Sequence, residues 1–349
     1  MFARLTAAVL MLAGATDAAF AQAPISYRGK SLTMIIGSAP GGGTDTSGRL
    51  IAQFIARYLP DTPSVLIRNI PGAEGMTAVN YFVQQVAPDG YTIVMGSSTL
   101  ADPMHYRRPQ SHFDPTTFPI LGGVGRGGTM LMIGKDAEKR LYDKSQPPVI
   151  MGSLVGVPRS GMQTTAWGIE FLGWNAKWVV GYHGTNDLML ALDRTEIDMT
   201  STANLFEVNK LAQTGRFKPL TQTGGLQNGK IVPRPEFVTT PLLSNIMAGK
   251  IADPVQRKAF DFWSSMTVMD KWMALPPKTP QPIVDMFREA FQKVAANTEF
   301  IEAGRKISED FSPMRAEDVE QLIRTLGQTP PEAIGYISNL LRSQGLEVE

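Results

Sequence analysis

From Ser31 onward, short β-rich runs alternate with segments of helical period, and each run ends in a loop of small residues. That rhythm restricts the chain to βαβ units around a largely parallel sheet. Leu32 to Ile36 is the first strand, and Leu50, Ile51, Phe54, Ile55 and Tyr58 then recur at helical spacing. Thr44 or Asp45 stands where a helix cap belongs. Val65 to Arg68 forms a second strand, Pro71 to Gly75 a second loop, and Val79, Phe82, Val83 and Val86 the apolar face of a second helix. Tyr91 to Met95 is a third strand ending in Gly96-Ser97-Ser98. In open α/β sheets ligands sit at the carboxyl ends of such strands. A second series begins near Thr129, with strands at 130–133, 149–151, 178–180, 197–199 and 218–222. Beyond about Gly224 the pattern turns mostly helical, with proline-rich breaks at 233–235 and 276–282 and helices near 283–296, 316–326 and 331–343. These helices are expected to buttress the first sheet.

The first loop, Pro40-Gly41-Gly42-Gly43-Thr44-Asp45, carries the chemistry. Glycines between a strand and a helix leave backbone amides unobstructed at the positive end of the helix dipole, which suits a carboxylate or a phosphate. As a phosphate-binding P-loop it fails, because the lysine position is Gly43; as a dinucleotide fingerprint it fails, because the third glycine position is Thr46. The remaining readings are an anion site and a plain tight turn. Asp45 would repel an anion, so capping and an i,i+4 pair with Arg49 are its expected roles; an amino-acid ligand whose ammonium meets Asp45 is the competing one.

Ala39-Pro40-Gly41-Gly42-Gly43-Thr44-Asp45 with Arg49, then Asn69-Ile70-Pro71-Gly72-Ala73, then Ala87-Pro88-Asp89-Gly90-Tyr91-Thr92, together resemble one family in order and spacing. It is that of the tripartite tricarboxylate transporter substrate-binding proteins, the Bug family, and this chain is similar to a divergent member. The resemblance continues through Ser97-Ser98-Thr99, Gly156 to Gly161, Tyr182-His183-Gly184 and Pro280-Gln281-Pro282. It implies a two-lobed, type II-like periplasmic α/β fold, each lobe a sheet flanked by helices, with the ligand cleft between them. The implied lobes are 22–127 joined by 226–349, and 128–225. The family's loops imply a carboxylate held by Gly41 to Thr44 and by Gly72, Ala73 and Gly75, with Ser97 and Ser98 beside them. Glu74 departs from the small residue usual there. In the second lobe the candidates are Ser160, Gly161, Asn204 and Arg159, the last either a bidentate carboxylate partner or a solvated arginine. Trp167, Trp174 and Trp178 are expected to pack.

The first residues look like a secretory signal: Arg4, an apolar run from Leu5 to Phe20, and the small-x-small site Ala19-Phe20-Ala21. Residues 1–21 are therefore expected to be removed, which points to the periplasm. With no cysteine, disulfides, thiol nucleophiles and a lipid anchor are excluded. The balance of 33 basic against 32 acidic residues leaves no general field for nucleic acid. His105, His112 and His183 stand at no metal-ligand spacing, and neither Ser97 nor Ser160 lies in a Gly-x-Ser-x-Gly elbow. The expectation is a monomeric, non-enzymatic receptor, without cofactor or metal, that passes a small carboxylate to membrane transporter subunits. A receptor for a membrane sensor and an exported hydrolase are the alternatives.

Overall fold

The computed structural model describes residues 25–347 except 126, 155–157, 159, 183–184, 228 and 309. The expected signal segment, Gly156, Arg159 and His183 lie outside the described residues, as does the side chain of Ser160.

Strands β1 (Leu32–Ile36), β2 (Val65–Asn69) and β3 (Thr92–Ser97) pair in parallel, with β1 between the other two. Ile36 stands level with Asn69 and with Met95, so all three strands end at one edge. β4 (Ile120–Gly125) joins the same six-stranded sheet through strand Met269–Ala274, which runs antiparallel to both β3 and β4. Strand Ser312–Met314 closes the far edge. A second, five-stranded sheet holds strands Met130–Gly134, Val149–Leu154, Ala176–Tyr182, Met199–Thr202 and Phe217–Gln222. The fold is mixed α/β, two sheets flanked by helices.

Helix α1 (Gly43–Ile55) lays Leu50, Ile51, Phe54 and Ile55 against the first sheet, where they meet Phe287, Phe291 and Phe300 of the C-terminal part. Each such side chain withdrawn from water contributes roughly 1.5–3 kcal/mol before entropy is counted. α2 (Met76–Gln85) buries Val79 and Phe82 on the opposite side, in a core shared with Trp272 and Leu322.

The late helices do more than buttress the first sheet. Helices Gln281–Ala295 and Ala316–Gly327 cover it as expected, but Pro254–Met266 and Pro331–Ser343 also grip the second. Trp167, fully buried on helix Thr164–Leu172, meets Phe260 at 5.1 Å, Trp263 at 5.6 Å and Tyr336 at 6.2 Å between ring centroids. Trp178 donates from its indole to Gln344. Aromatic pairs at these separations add to plain area burial, so the two sheets are joined by packed rings as well as by the crossing chain.

Candidate functional site

At the shared carboxyl edge of β1, β2 and β3 lies a cavity of about 280 Å³. Of the expected residues, Thr44, Gly72, Gly75 and Ser97 line it; Gly37, Ser38, Glu74, Met95 and Leu100 complete it. Pro40, Gly41, Gly42, Gly43, Ala73 and Ser98 are not among its lining residues. The first and second loops meet there at van der Waals contact: a Cβ on Gly37 would stand 2.7 Å from Gly75 Cα.

The loop amides are divided differently from expectation. Gly41 N–H donates to Asp45 Oδ2 at 2.8 Å and Gly42 N–H to the Ala39 carbonyl at 3.1 Å, so both are occupied within the loop. The helix N-cap is Gly42, with no capping side chain; neither Thr44 nor Asp45 occupies that position. The amides of Gly43, Thr44 and Asp45 form the first helical turn, whose N–H groups have no carbonyl within the helix to bond. Thr44 brings that turn to the cavity wall. Beside it Ser38 lines the cavity, and its buried hydroxyl has no hydrogen-bond partner among the described residues. A buried hydroxyl left unpaired costs about 1–3 kcal/mol, and a polar ligand atom would remove that cost. Nothing in the periodicity marks Ser38; the usable signal is its place as the first polar side chain after β1.

Asp45 is no ligand group. It is 1% exposed, and its carboxylate accepts from Arg49 Nε at 2.8 Å, Asn69 Nδ2 at 2.8 Å and Gly41 N. The Arg49 hydrogen bond, then those of Asn69 and Gly41, outweigh burial and hold its pKa at about 2. Asn69 also donates to the Ser38 carbonyl at 2.9 Å, tying the end of β2 to the end of β1.

Glu74 has the opposite surroundings. Gly72, Ala73, Glu74 and Gly75 all take positive φ, at 135°, 45°, 56° and 98°. Left-handed backbone is costly for a residue with a Cβ, and here it holds Glu74 at the cavity wall with its side chain 60% exposed. His105 Nδ1 lies 3.5 Å from Glu74 Oε2, but this imidazole is almost wholly buried. Burial, then the nearby Arg108, push the His105 pKa down, with Glu74 and Ala73 opposing. A lowered pKa favours the neutral imidazole, so His105 gives Glu74 little ion pairing at neutral pH. A carboxylate brought within about 6 Å of it would meet a repulsion of roughly 1–3 kcal/mol.

The second-lobe candidates are partly committed elsewhere. Asn204 caps helix Leu205–Gln213, its Oδ1 accepting from Phe206 N at 2.9 Å and Glu207 N at 3.4 Å. Gly161 is buried against Thr129, and its carbonyl accepts from Thr164 Oγ1 at 2.6 Å. Ser201, on strand Met199–Thr202, keeps a buried hydroxyl without a partner.

A larger cavity, about 360 Å³, lies where the chain crosses between the sheets. Its Arg234, Arg305 and Arg315 are matched by Glu236, Asp310 and Asp318, and Arg315 pairs with Asp318 at 3.0 and 3.1 Å. Arg234 donates to the carbonyls of Gly128 and Ala203, so its guanidinium staples the crossing. We place the site at the smaller cavity, where strand ends, helix amides and a free hydroxyl converge. Among the described residues there is no group of three or more His, Cys, Asp or Glu that could hold a metal, and no helix long and apolar enough to cross a membrane.

No protein-family model matches the chain. Among curated proteins, a UPF0065 protein of Bordetella pertussis is 27% identical over 311 residues, 85% of this chain and 84% of that one. Among solved structures, a TctC solute binding protein from Polaromonas is similar with a TM-score of 0.67 at 18% identity, covering 90% of this chain and all of that one. Rpa4515 of R. palustris, determined with adipate, gives 0.52 at 20% identity over 90% and 97% of the two chains. The periplasmic binding protein BugD gives 0.50 at 19% identity over 91% and 99%. In sequence the chain is similar to a UPF0065 protein, and its fold, two sheets flanked by helices, is that of the TctC and Bug periplasmic binding proteins.

Proposed function

We propose that this chain is a periplasmic solute-binding protein that captures a small carboxylate between its lobes, 22–127 with 226–349 and 128–225, and passes it to membrane transporter subunits. It does so as a monomer, without a cofactor and without catalysis. The observation that carries the reading is the cavity at the carboxyl ends of β1 to β3, where an unpartnered buried hydroxyl, Ser38 Oγ, faces the same space as the first turn of α1. A carboxylate satisfies that hydroxyl and the helix-end amides together, with the dipole favouring its charge. The adipate held by Rpa4515, and the solute-binding relatives of the same fold, support the same class of ligand.

Ser97 stands beside this group in the cavity wall, and the loops carrying Ser160 and Gly161 would supply the opposing lobe. Titration calorimetry of the protein from Gln22 onward against aliphatic and aromatic mono-, di- and tricarboxylates tests the proposal. One-to-one binding with the ligand recovered unchanged is expected; turnover of any bound compound would overturn it. Gly42→Val sharpens the test, because a side chain there begins 3.4 Å from Ser38 Oγ and 3.2 Å from the Ala39 carbonyl. It should weaken binding at least tenfold with a small change in melting temperature.

A further inference from the structure

Glu74 is the charged residue among those that line the cavity, and its charge is negative. We infer that Glu74 sets the ligand class: the cavity takes a carboxylate that also carries a protonated amine, and discriminates against the same skeleton without one. This rests on the reading of the cavity as a carboxylate site, and it narrows that reading.

Three observations converge. Glu74 reaches the cavity from a turn of four successive positive-φ residues, two of them with a Cβ, so its placement is imposed by the backbone rather than by a favourable contact. Among the described residues its carboxylate makes no hydrogen bond, and its ion-pair contact is with His105, at 3.5 Å. That imidazole lies buried beneath it, and burial and Arg108 favour its neutral form. Arg49, on α1, is hydrogen-bonded to Asp45 and Asn69.

A simple carboxylate entering this space meets the first helical turn and Ser38 on one side and, on the other, the like charge of Glu74, which makes no ion pair with an arginine or lysine among the described residues. An ammonium on the ligand turns that repulsion into an ion pair, and closure of the lobes, by displacing water, strengthens whichever of the two is present. A ligand hydroxyl could donate to Glu74 but would leave the charge unbalanced, so it satisfies the site less well. The adipate of the R. palustris relative therefore represents the carboxylate that the two proteins would share, and the amine is what Glu74 adds.

The experiment compares matched pairs by calorimetry at pH 7: succinate, malate and aspartate; glutarate and glutamate; propionate and alanine; 4-methylpentanoate and leucine. In the wild type the amine-bearing member of at least one pair should bind tenfold or more tightly than its partner. Glu74→Gln should bring that ratio near one, by weakening the amine and strengthening the plain acid, with an unchanged melting temperature showing that the fold is intact. Malate equal to aspartate would replace the ammonium by a hydroxyl and overturn the inference. Pairs that bind alike in both proteins would overturn it while leaving carboxylate capture standing. No binding by any acid, with or without an amine, would overturn the carboxylate reading itself and this inference with it.

Discussion

Asp45 and Glu74 are both carboxylates at the same edge of the same sheet, one in the first helical turn after β1 and one in the turn after β2, yet they have opposite lives. Asp45 is buried among three hydrogen-bond donors, from its own loop, its own helix and the neighbouring strand. Glu74 is 60% exposed, with no hydrogen-bond donor among the described residues. A carboxylate whose acceptor capacity is filled by the protein is a structural part. One held out on costly backbone, with nothing to accept from, is placed for something else. The contrast breaks most directly on stability. Asp45→Ala should cost roughly 3 kcal/mol in a urea melt, since it leaves Gly41 N–H, Asn69 and Arg49 without their acceptor. Glu74→Ala should stay within about 0.5 kcal/mol. Comparable losses in the two variants would erase the distinction.

The same difference has a pH signature. The Asp45 pKa is lowered to about 2 in the folded protein, against an ordinary value near 4. A depressed carboxyl contributes stability that is fully present above its unfolded value and disappears as pH falls through its folded one. The stability gap between wild type and Asp45→Asn should therefore narrow by roughly 2 kcal/mol between pH 5 and pH 2. A gap independent of pH in that window would mean the carboxylate is not held as the hydrogen bonds indicate.

Both loops must also act as one wall, and Gly37→Ala tests this. Its Cβ would strike Gly75 Cα at 2.7 Å, backbone against backbone, where no side chain can swing away. Overpacking of this kind should cost about 1–2 kcal/mol and lower ligand affinity at least tenfold by parting the loops. Normal affinity in this variant would separate the two loops functionally.

How much of this is legible in the sequence depends on whether the signal is local. β1, the glycine loop and α1 can be read from periodicity, and Leu50, Ile51, Phe54 and Ile55 are all buried as spaced. Strand Met269–Ala274, central to the same sheet, falls in a stretch whose pattern reads as helical. Its Asp270 and Lys271 pair with each other at 2.6 Å, so a charged pair stands where a β pattern would show alternation. β4, Ile-Leu-Gly-Gly-Val-Gly, escapes a reading by propensity because half of it is glycine, which strands disfavour. In the site, Glu74 stands out as a departure from the small residue expected, but its place in the cavity wall follows from backbone dihedrals that residue types do not specify. The Asn69 bonds to Ser38 and Asp45 span 31 and 24 residues. They exist only because parallel pairing brings those strand ends level.

The smallest effect is also the one that most finely separates the two carboxylates. At φ 56° Glu74 occupies a conformation that costs an L-residue about 1 kcal/mol and glycine almost nothing. Glycine gives back part of that gain through the freedom it adds to the unfolded chain. Glu74→Gly should consequently leave the protein as stable as the wild type or more so, by up to roughly 0.5 kcal/mol in urea melts, while removing its preference for amine-bearing acids. The same substitution at Asp45 should destabilise by several times as much, because its loss is in hydrogen bonds rather than in backbone strain. A measurable loss of stability in Glu74→Gly would show that its carboxylate supports the fold through His105, and the two residues would then differ in degree rather than in kind.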